Sequence, residues 1–257
     1  MITLLSPAKK LLQFEQTYAE ACSEPRFREM THQLVSIMRE KSESEIASLM
    51  HLSPNLARLN WERYQHFAEN EVPIEHSYPA VLYFQGDVYQ SLQASTWSEK
   101  TMIYAQDHLL ILSGLYGLLR PLDRMQAYRL EMGARLANPK GENLYDFWKE
   151  DIVSAINAQA VGQSSPGVVN LASGEYFKSV NTKALDVPLL DVQFKEAKNG
   201  SQKTIGIFAK KARGLLAKYI MEEQVDSFAA LKEFNGNDYH FDSAQSSEDF
   251  YVFVRKH

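Results

Sequence analysis

The sequence predicts an α+β fold with a mixed sheet flanked by helices, and three observations carry that expectation. The N-terminal quarter reads as helices with apolar residues on one face, and from Tyr78 onward short apolar strands alternate with helices. Asn199-Gly200 then sits between two strand-like runs as a tight hairpin turn. At 257 residues and 45% hydrophobic, the chain can bury a large core. No repeat or low-complexity linker divides it, and its clearest breaks, 162–167 and 243–249, are loop-sized. One domain spanning 1–257 is expected.

Ile2 to Leu5 reads as a short buried strand that delivers Ser6-Pro7-Ala8-Lys9 at its carboxyl end. Pro25 suits the first turn of a helix with Phe27, Met30, Leu34 and Ile37 on one face. Ser42 with Glu45 makes a capping box for the next helix, and Ser53-Pro54 opens a third that runs toward Phe67. Ala80 to Phe84 reads as a strand ending in Gln85-Gly86-Asp87, with Asp87 capping a short helix through Leu92. Thr96 with Glu99 suggests a second capping box. The helix it opens leads into the apolar run Leu109 to Leu112, which periodicity leaves open between strand and helix end. Leu144 to Ala160 reads as one helix and Val168 to Ala172 as a buried strand. Leu189 to Glu196 and Lys203 to Phe208 are the arms of the hairpin. The following helix is expected to begin near Lys210 and to carry Leu215, Leu216, Tyr219 and Ile220, and Phe250 to Val254 is the last strand.

The lone Cys22 excludes an internal disulfide and fits a reducing compartment. The first residues hold too few apolar side chains before Ser6-Pro7 for a signal-peptide core or a membrane span, so a soluble cytoplasmic protein without membrane contact is expected. A formal net charge of -5 argues against nucleic-acid affinity spread over the whole surface. Two segments run against that balance. Ser113 to Arg135 carries four arginines among turn-forming glycines and a proline, and Ala209-Lys210-Lys211-Ala212-Arg213-Gly214 is a second basic run. If both face one cleft they make a cationic groove; if not, the arginines pair with acids such as Asp123 and Glu131 in ordinary surface networks.

Lys210, Lys211 and Arg213 are expected where the hairpin passes into a helix, where their charges add to the positive end of the helix dipole and favour a docked anion. Ala212 and Gly214 leave room beside them, and Lys9 and Lys10 are a further contribution. A different reading makes the same cleft an enzyme site, with Ser173, Glu175, Tyr176 and Lys178 as one acid-base set and Tyr128, Arg129 and Glu131 as another. No nucleophile elbow, P-loop or nucleotide fingerprint accompanies them. A salt-bridge network among Arg129, Glu131, Glu175 and Lys178 would leave the same trace in sequence. Glu29 and His32 share a helix face, but the nearest second pair, Glu62 and His66, is one residue too long for a di-iron carboxylate pattern. His51, His76, His108, His240 and His257 are scattered. No metal site and no cofactor is assigned.

Several segments together carry a resemblance. They are Leu5-Ser-Pro-Ala-Lys9, Gly86-Asp-Val-Tyr89, Ser113 through Asp123, Tyr128-Arg-Leu-Glu-Met-Gly133, Asn170-Leu-Ala-Ser173 continuing to Glu175-Tyr-Phe-Lys178, and Ala209 through Gly214. In this order, over nearly the whole chain, they resemble the YaaA peroxide-stress protein family. The resemblance implies a cytosolic protein made under hydrogen peroxide stress that limits damage from loosely held iron and binds DNA, double-stranded or branched. It also implies a large mixed α/β domain with a basic cleft and a helix-hairpin-helix element. Leu112 through Leu118, with Gly114 and Gly117, has the character of that hairpin, whose backbone N–H groups would meet phosphate. A tight turn between a core strand and a helix is the alternative. The chain departs from the family at Gln85, where lysine is common, and at Ala127, where proline is common. The phosphate-contacting residues expected are Lys9, Gly114, Gly117, Arg120, Arg129, Lys178, Lys210, Lys211 and Arg213. Glu131, Glu175 and Tyr176 are the candidates if the cleft is catalytic. A continuous groove joining Lys9, Arg120, Arg129 and Lys210 would favour binding, and a closed pocket around Glu131, Glu175 and Tyr176 would favour catalysis.

Overall fold

The computed structural model describes residues 1–12, 22–70 and 76–256. In chain order the elements are β1 (Ile2–Leu5), β2 (Lys10–Leu11), α1 (Arg28–Arg39), α2 (Glu43–Met50), α3 (Pro54–Gln65), β3 (Ser77–Pro79), α4 (Ala80–Tyr83), β4 (Phe84–Gln85), α5 (Asp87–Leu92), α6 (Glu99–His108) and β5 (Leu109–Ser113). They continue as β6 (Gly117–Leu119), β7 (Arg124–Gln126), α7 (Leu144–Trp148), α8 (Asp151–Ala160), β8 (Val168–Asn170), α9 (Gly174–Phe177), β9 (Leu189–Lys198), β10 (Ser201–Lys203), α10 (Gly206–Glu222), β11 (Tyr239–Phe241) and β12 (Phe250–Lys256).

The fold is mixed α/β. An eight-stranded sheet runs β11-β12-β9-β8-β1-β5-β6, with β10 paired to β9. Its centre is parallel: β12 with β9, β9 with β8, β8 with β1 and β1 with β5. Parallel strands covered by helices on both faces read as unbroken apolar runs. Accordingly β1 and β5 are buried at every residue, including Thr3 and Ser113. Strand β9 instead alternates, burying Leu190, Val192, Phe194 and Glu196 on one face. The β9–β10 hairpin turns on Asn199 and Gly200, both at positive φ (51° and 74°), the geometry of a two-residue primed turn.

The Ser42–Glu45 capping box forms as the sequence predicts, and among the described residues the N-terminal quarter holds helices α1 to α3, although α1 begins at Arg28 and leaves Pro25 ahead of its first turn with Phe27 at the N-cap. The Ser42 N–H donates to Glu45 Oε2 at 2.8 Å and the Glu45 N–H to Ser42 Oγ at 3.3 Å. Ser42→Ala removes one arm of the box and is expected to cost about 1 kcal/mol, read as a fall of roughly 2–4 °C in Tm by circular dichroism.

Several element boundaries differ from expectation, each for a tertiary reason. Ala80 to Tyr83 is one helical turn, not a strand, because the N–H groups of Ala80 and Val81 bond Asp123 and Pro121 carbonyls and draw the chain out of extension. Asp87 is the first residue of α5 and caps nothing, since Gly86 holds the N-cap position. Thr96 lies in a short 3₁₀ turn with its hydroxyl on the Gln93 carbonyl. Ser98 caps α6 instead, accepting the Thr101 N–H at 3.1 Å. The stretch Leu144 to Ala160 breaks at Lys149–Glu150 into α7 and α8, although Trp148, Ile152 and Ile156 continue at helical spacing across the break. The arm predicted over Lys203 to Phe208 ends at Lys203, and α10 starts at Gly206, four residues before Lys210.

Candidate functional site

The strands β8, β1 and β5 run parallel, and the chain leaves β1 for β5 on one side and returns to β8 on the other. The crevice beyond the carboxyl ends of strands, where the order reverses, is where open α/β sheets bind ligands. A cleft of about 710 Å³ opens there. Its walls are Ser6 to Lys10 after β1, Gln85 to Gln90 around the start of α5, Tyr128 to Glu131, Leu171, Ser173, Glu175 and Tyr176 after β8, and Lys210 with Arg213 on α10.

Each wall is fixed by packing or pairing behind it. The β2–β4 pair, with Lys10 opposite Gln85, ties the segment after β1 to the entry of α5. The Tyr89 hydroxyl donates to the Ser6 carbonyl at 2.9 Å, and the Ser173 N–H donates to Ser6 Oγ at 2.8 Å. The loop after β7 is held from three sides. Tyr64 donates to the Arg129 carbonyl at 2.9 Å, the Tyr128 and Ser113 hydroxyls share a bond of 2.6 Å, and the Gly133 N–H donates to Glu175 Oε1 at 3.1 Å. Helix α10 lies tightly on α5, because a Cβ at Gly214 would stand 2.1 Å from the Val88 carbonyl oxygen. Gly214 is thus filled by α5 and leaves no space for a ligand, contrary to expectation.

The electrostatics of the cleft are uneven. Five cations, Lys9, Lys10, Arg129, Lys210 and Arg213, face three carboxylates, Asp87, Glu131 and Glu175. Glu131 Oε1 carries two of the cations, with Lys9 Nζ at 3.1 Å and Arg129 Nη2 at 3.0 Å. Its other oxygen, Oε2, is buried without a hydrogen-bond partner, on a side chain only 13% exposed. Lys210 and Arg213, three residues apart, share a face of α10 and have no carboxylate in ion-pair contact among the described residues. Burial lowers the Arg213 pKa, and no neighbouring anion offsets that shift. A guanidinium does not shed its proton in a protein, so a half-buried one without a counterion is costly until an anion arrives. Burial pushes the phenols of Tyr89, Tyr128 and Tyr176 well up, and Glu131 adds to the last two, so all three are neutral walls.

The cleft gathers Lys9, Arg129, Lys210, Arg213, Glu131, Glu175 and Tyr176 from the expected set. It does not gather the others. Arg120 bonds the buried Asp123 through Nε (3.1 Å) and Nη2 (3.0 Å) and lines a different hollow with Arg26, Asp107 and Asp151. Lys178 sits over the Tyr145 ring at 4.8 Å, and exposed Lys211 points off the lining. Of the anticipated four-residue salt-bridge network only Arg129–Glu131 forms, while Glu175 takes a backbone N–H instead. Because α10 begins at Gly206, Lys210 lies past the four free N–H groups of the helix start, and the dipole argument for Lys210, Lys211 and Arg213 does not hold. Leu112 through Leu118 is no helix-hairpin-helix. It joins antiparallel strands β5 and β6, and Gly114 and Gly117 are buried against Leu130 and Trp148, out of reach of any phosphate.

Sequence reasoning missed Tyr89 and Asp87 as cleft walls. The only available signal was the Gly86-Asp-Val-Tyr89 segment itself, which places Tyr89 within the first turn of α5. Among the described residues no three or more metal-ligating side chains converge, and no helix is long and apolar enough to cross a membrane; His257 lies outside those residues.

Comparison with known proteins agrees with the resemblance. The family model for peroxide stress protein YaaA matches residues 1–245. A UPF0246 protein of Legionella pneumophila strain Philadelphia 1 is 52% identical over 257 residues, covering 100% of both chains. UPF0246 proteins of Bordetella petrii and Bordetella pertussis are 47% and 46% identical over 256 residues, covering 100% of this chain and 100% and 99% of their own. The chain belongs to the peroxide stress protein YaaA family, also named UPF0246.

Proposed function

We propose that this protein acts in the cytoplasm during peroxide stress by binding DNA, with backbone phosphate seated in the cleft beyond β1, and so limits damage from unincorporated iron. The observation that carries the proposal is the pair Lys210 and Arg213, cations on one helix face at the cleft wall with no counterion in contact among the described residues. Local positive charge on a chain of net charge -5 concentrates an anion at one place rather than coating the surface. Lys10 is a third cleft cation with no ion pair among the described residues. Three phosphates neutralised by these residues give a log-log salt slope of about -2.7, at -0.9 each. Fluorescence anisotropy with duplex and branched DNA between 50 and 200 mM salt, a range of roughly four-fold, measures it. A flat salt response or no binding to either DNA contradicts the proposal.

A second reading has one specific observation in its favour, the Glu131 carboxylate in the cleft wall, held in place through Oε1 by Lys9 and Arg129. If Glu131 is catalytic, the wild type converts a nucleic-acid substrate and Glu131→Gln does not. If it only orients Lys9 and Arg129, the amide frees those cations for phosphate and DNA binds equally or more tightly. Denaturing gels and mass spectrometry after prolonged incubation with nicked, branched and single-stranded DNA are expected to show no product.

A further inference from the structure

Strand β9 does not stop where the cleft begins. Its last pair with β8 sets Asp191 opposite Asn170, and from there it runs on to Lys198 in the same direction, past the cleft wall that follows β8. Seven further residues of strand span about 23 Å at 3.3 Å each. The β9–β10 hairpin therefore stands beside the cleft mouth. Residues directly opposite one another in an antiparallel pair share a face, and the register sets Lys203 opposite Glu196 and Ser201 opposite Lys198. These four, with Asn199, Ile205 and Phe208, line a second hollow of about 520 Å³.

The charge in this hollow is unbalanced. Its one carboxylate, Glu196, is buried and already accepts from Arg255 Nε at 2.9 Å and from the Tyr239 hydroxyl, so it is spent inside the fold. Lys198 and Lys203 are exposed and have no ion pair among the described residues. A single turn of α10 separates hollow from cleft, since Phe208 lines the first and Lys210 the second. The chain between Lys203 and Lys210, extended residues and then the start of α10, holds their Cα atoms within about 17 Å of each other. At 3.4 Å per base pair that is about five base pairs, or roughly half a turn of duplex.

We propose that the β9–β10 hairpin is a second DNA contact, with Lys198 and Lys203 seating backbone phosphates of the duplex where it leaves the cleft. Two lysines alone would suit any anion. Their continuation from Lys210 and Arg213 across one helical turn suits a polyanion that runs out of the cleft and along the hairpin. Contacts of this kind fix the position of the DNA and carry no sequence preference. The inference rests on the DNA reading above and goes beyond it by adding a binding surface.

The test measures the salt dependence of binding by the full chain to a duplex of about 20 base pairs, two helical turns. Two phosphates on the hairpin, added to the three in the cleft, take the wild-type log-log slope from about -2.7 to about -4.5. Lys198→Ala combined with Lys203→Ala is expected to return the slope to about -2.7 and to weaken binding about 10-fold at low salt. Both side chains are exposed, so Tm is expected to stay within about 1 °C of wild type. Lys100→Ala combined with Lys183→Ala removes the same charge at exposed lysines outside both hollows and is expected to leave the slope unchanged. A wild-type slope near -2.7 that the hairpin variant does not alter overturns the hairpin contact and leaves DNA binding in the cleft intact. Equal changes in the two double variants reduce the effect to net charge and overturn the contact as well. No binding of the duplex by wild type overturns the DNA reading itself and this inference with it.

Discussion

Replacing Lys210 and Arg213 together with glutamate is expected to weaken DNA binding by about 100-fold or more, while Tm stays within about 3 °C of wild type. Charge-assisted hydrogen bonds contribute about 1.5–3 kcal/mol each, and 1.4 kcal/mol is tenfold in affinity, so two lost contacts reach that range before the repulsion of the new carboxylates is added. Stability is spared because neither cation has an ion-pair partner among the described residues to lose. Lys183→Glu together with Lys100→Glu makes the same charge change at two exposed lysines outside the cleft and is expected to move affinity less than about three-fold, the scale of screened surface charges. Anisotropy titrations at fixed salt, paired with thermal melts, read both quantities. Equal losses in the cleft variant and the Lys100 and Lys183 control would mean that only net charge matters.

The largest effect on stability is expected from a single methyl group. In Gly114→Ala the new Cβ would lie 2.2 Å from the Leu130 carbonyl oxygen and 3.1 Å from its carbon, within a wholly buried hairpin. Those atoms are backbone, so no side chain can swing away, and Trp148 Nε1 already fixes the Gly114 carbonyl from the other side at 3.0 Å. Overpacking of this kind costs roughly 2–4 kcal/mol, a fall of about 5–15 °C in Tm for a chain of this size. Leu130 stands between Arg129 and Glu131, so the displacement reaches the Lys9–Glu131–Arg129 contacts and DNA affinity falls with Tm. Gly206→Ala, where nothing lies within 4 Å of the added Cβ, is the control and is expected to leave Tm equal or slightly raised. Calorimetry on the three proteins decides it. A Gly114→Ala protein as stable as wild type would show that the hairpin and the Leu130 backbone can separate freely.

These two cases also mark how much the sequence discloses. Continuous apolar runs and turn residues are local signals, and they placed β1, the Asn199-Gly200 turn and the Ser42 cap where the structure has them, while the run Leu109 to Leu112, which periodicity left open between strand and helix end, is β5. The misses arise where distant residues compete with local preference. Ala80 and Val81 follow carbonyls some forty residues away at Pro121 and Asp123. The glycines of Ser113-Gly-Leu-Tyr-Gly117 read as exposed turn formers, yet they are glycine because Leu130 and Trp148 press on them. Of the basic clusters, the helix spacing of Lys210 and Arg213 kept both on one wall. Arg120 was lost to the cleft because Asp123, three residues on, captures it through a buried carboxylate that sequence cannot show to be buried. The grouping of Lys9, Arg129, Glu131 and Tyr176 follows from the strand order, which brings the ends of β1, β5 and β8 side by side.

Photocrosslinking places the DNA most directly. A duplex carrying 5-iododeoxyuridine, irradiated on the bound protein and digested for mass spectrometry, couples to aromatic side chains in contact with the base. Attachment to Tyr89, Tyr128 or Tyr176 is the result expected of a cleft beyond β1 that receives DNA. Attachment at Phe27, in the hollow lined by Arg26 and Arg120, with those tyrosine peptides unmodified, would contradict it.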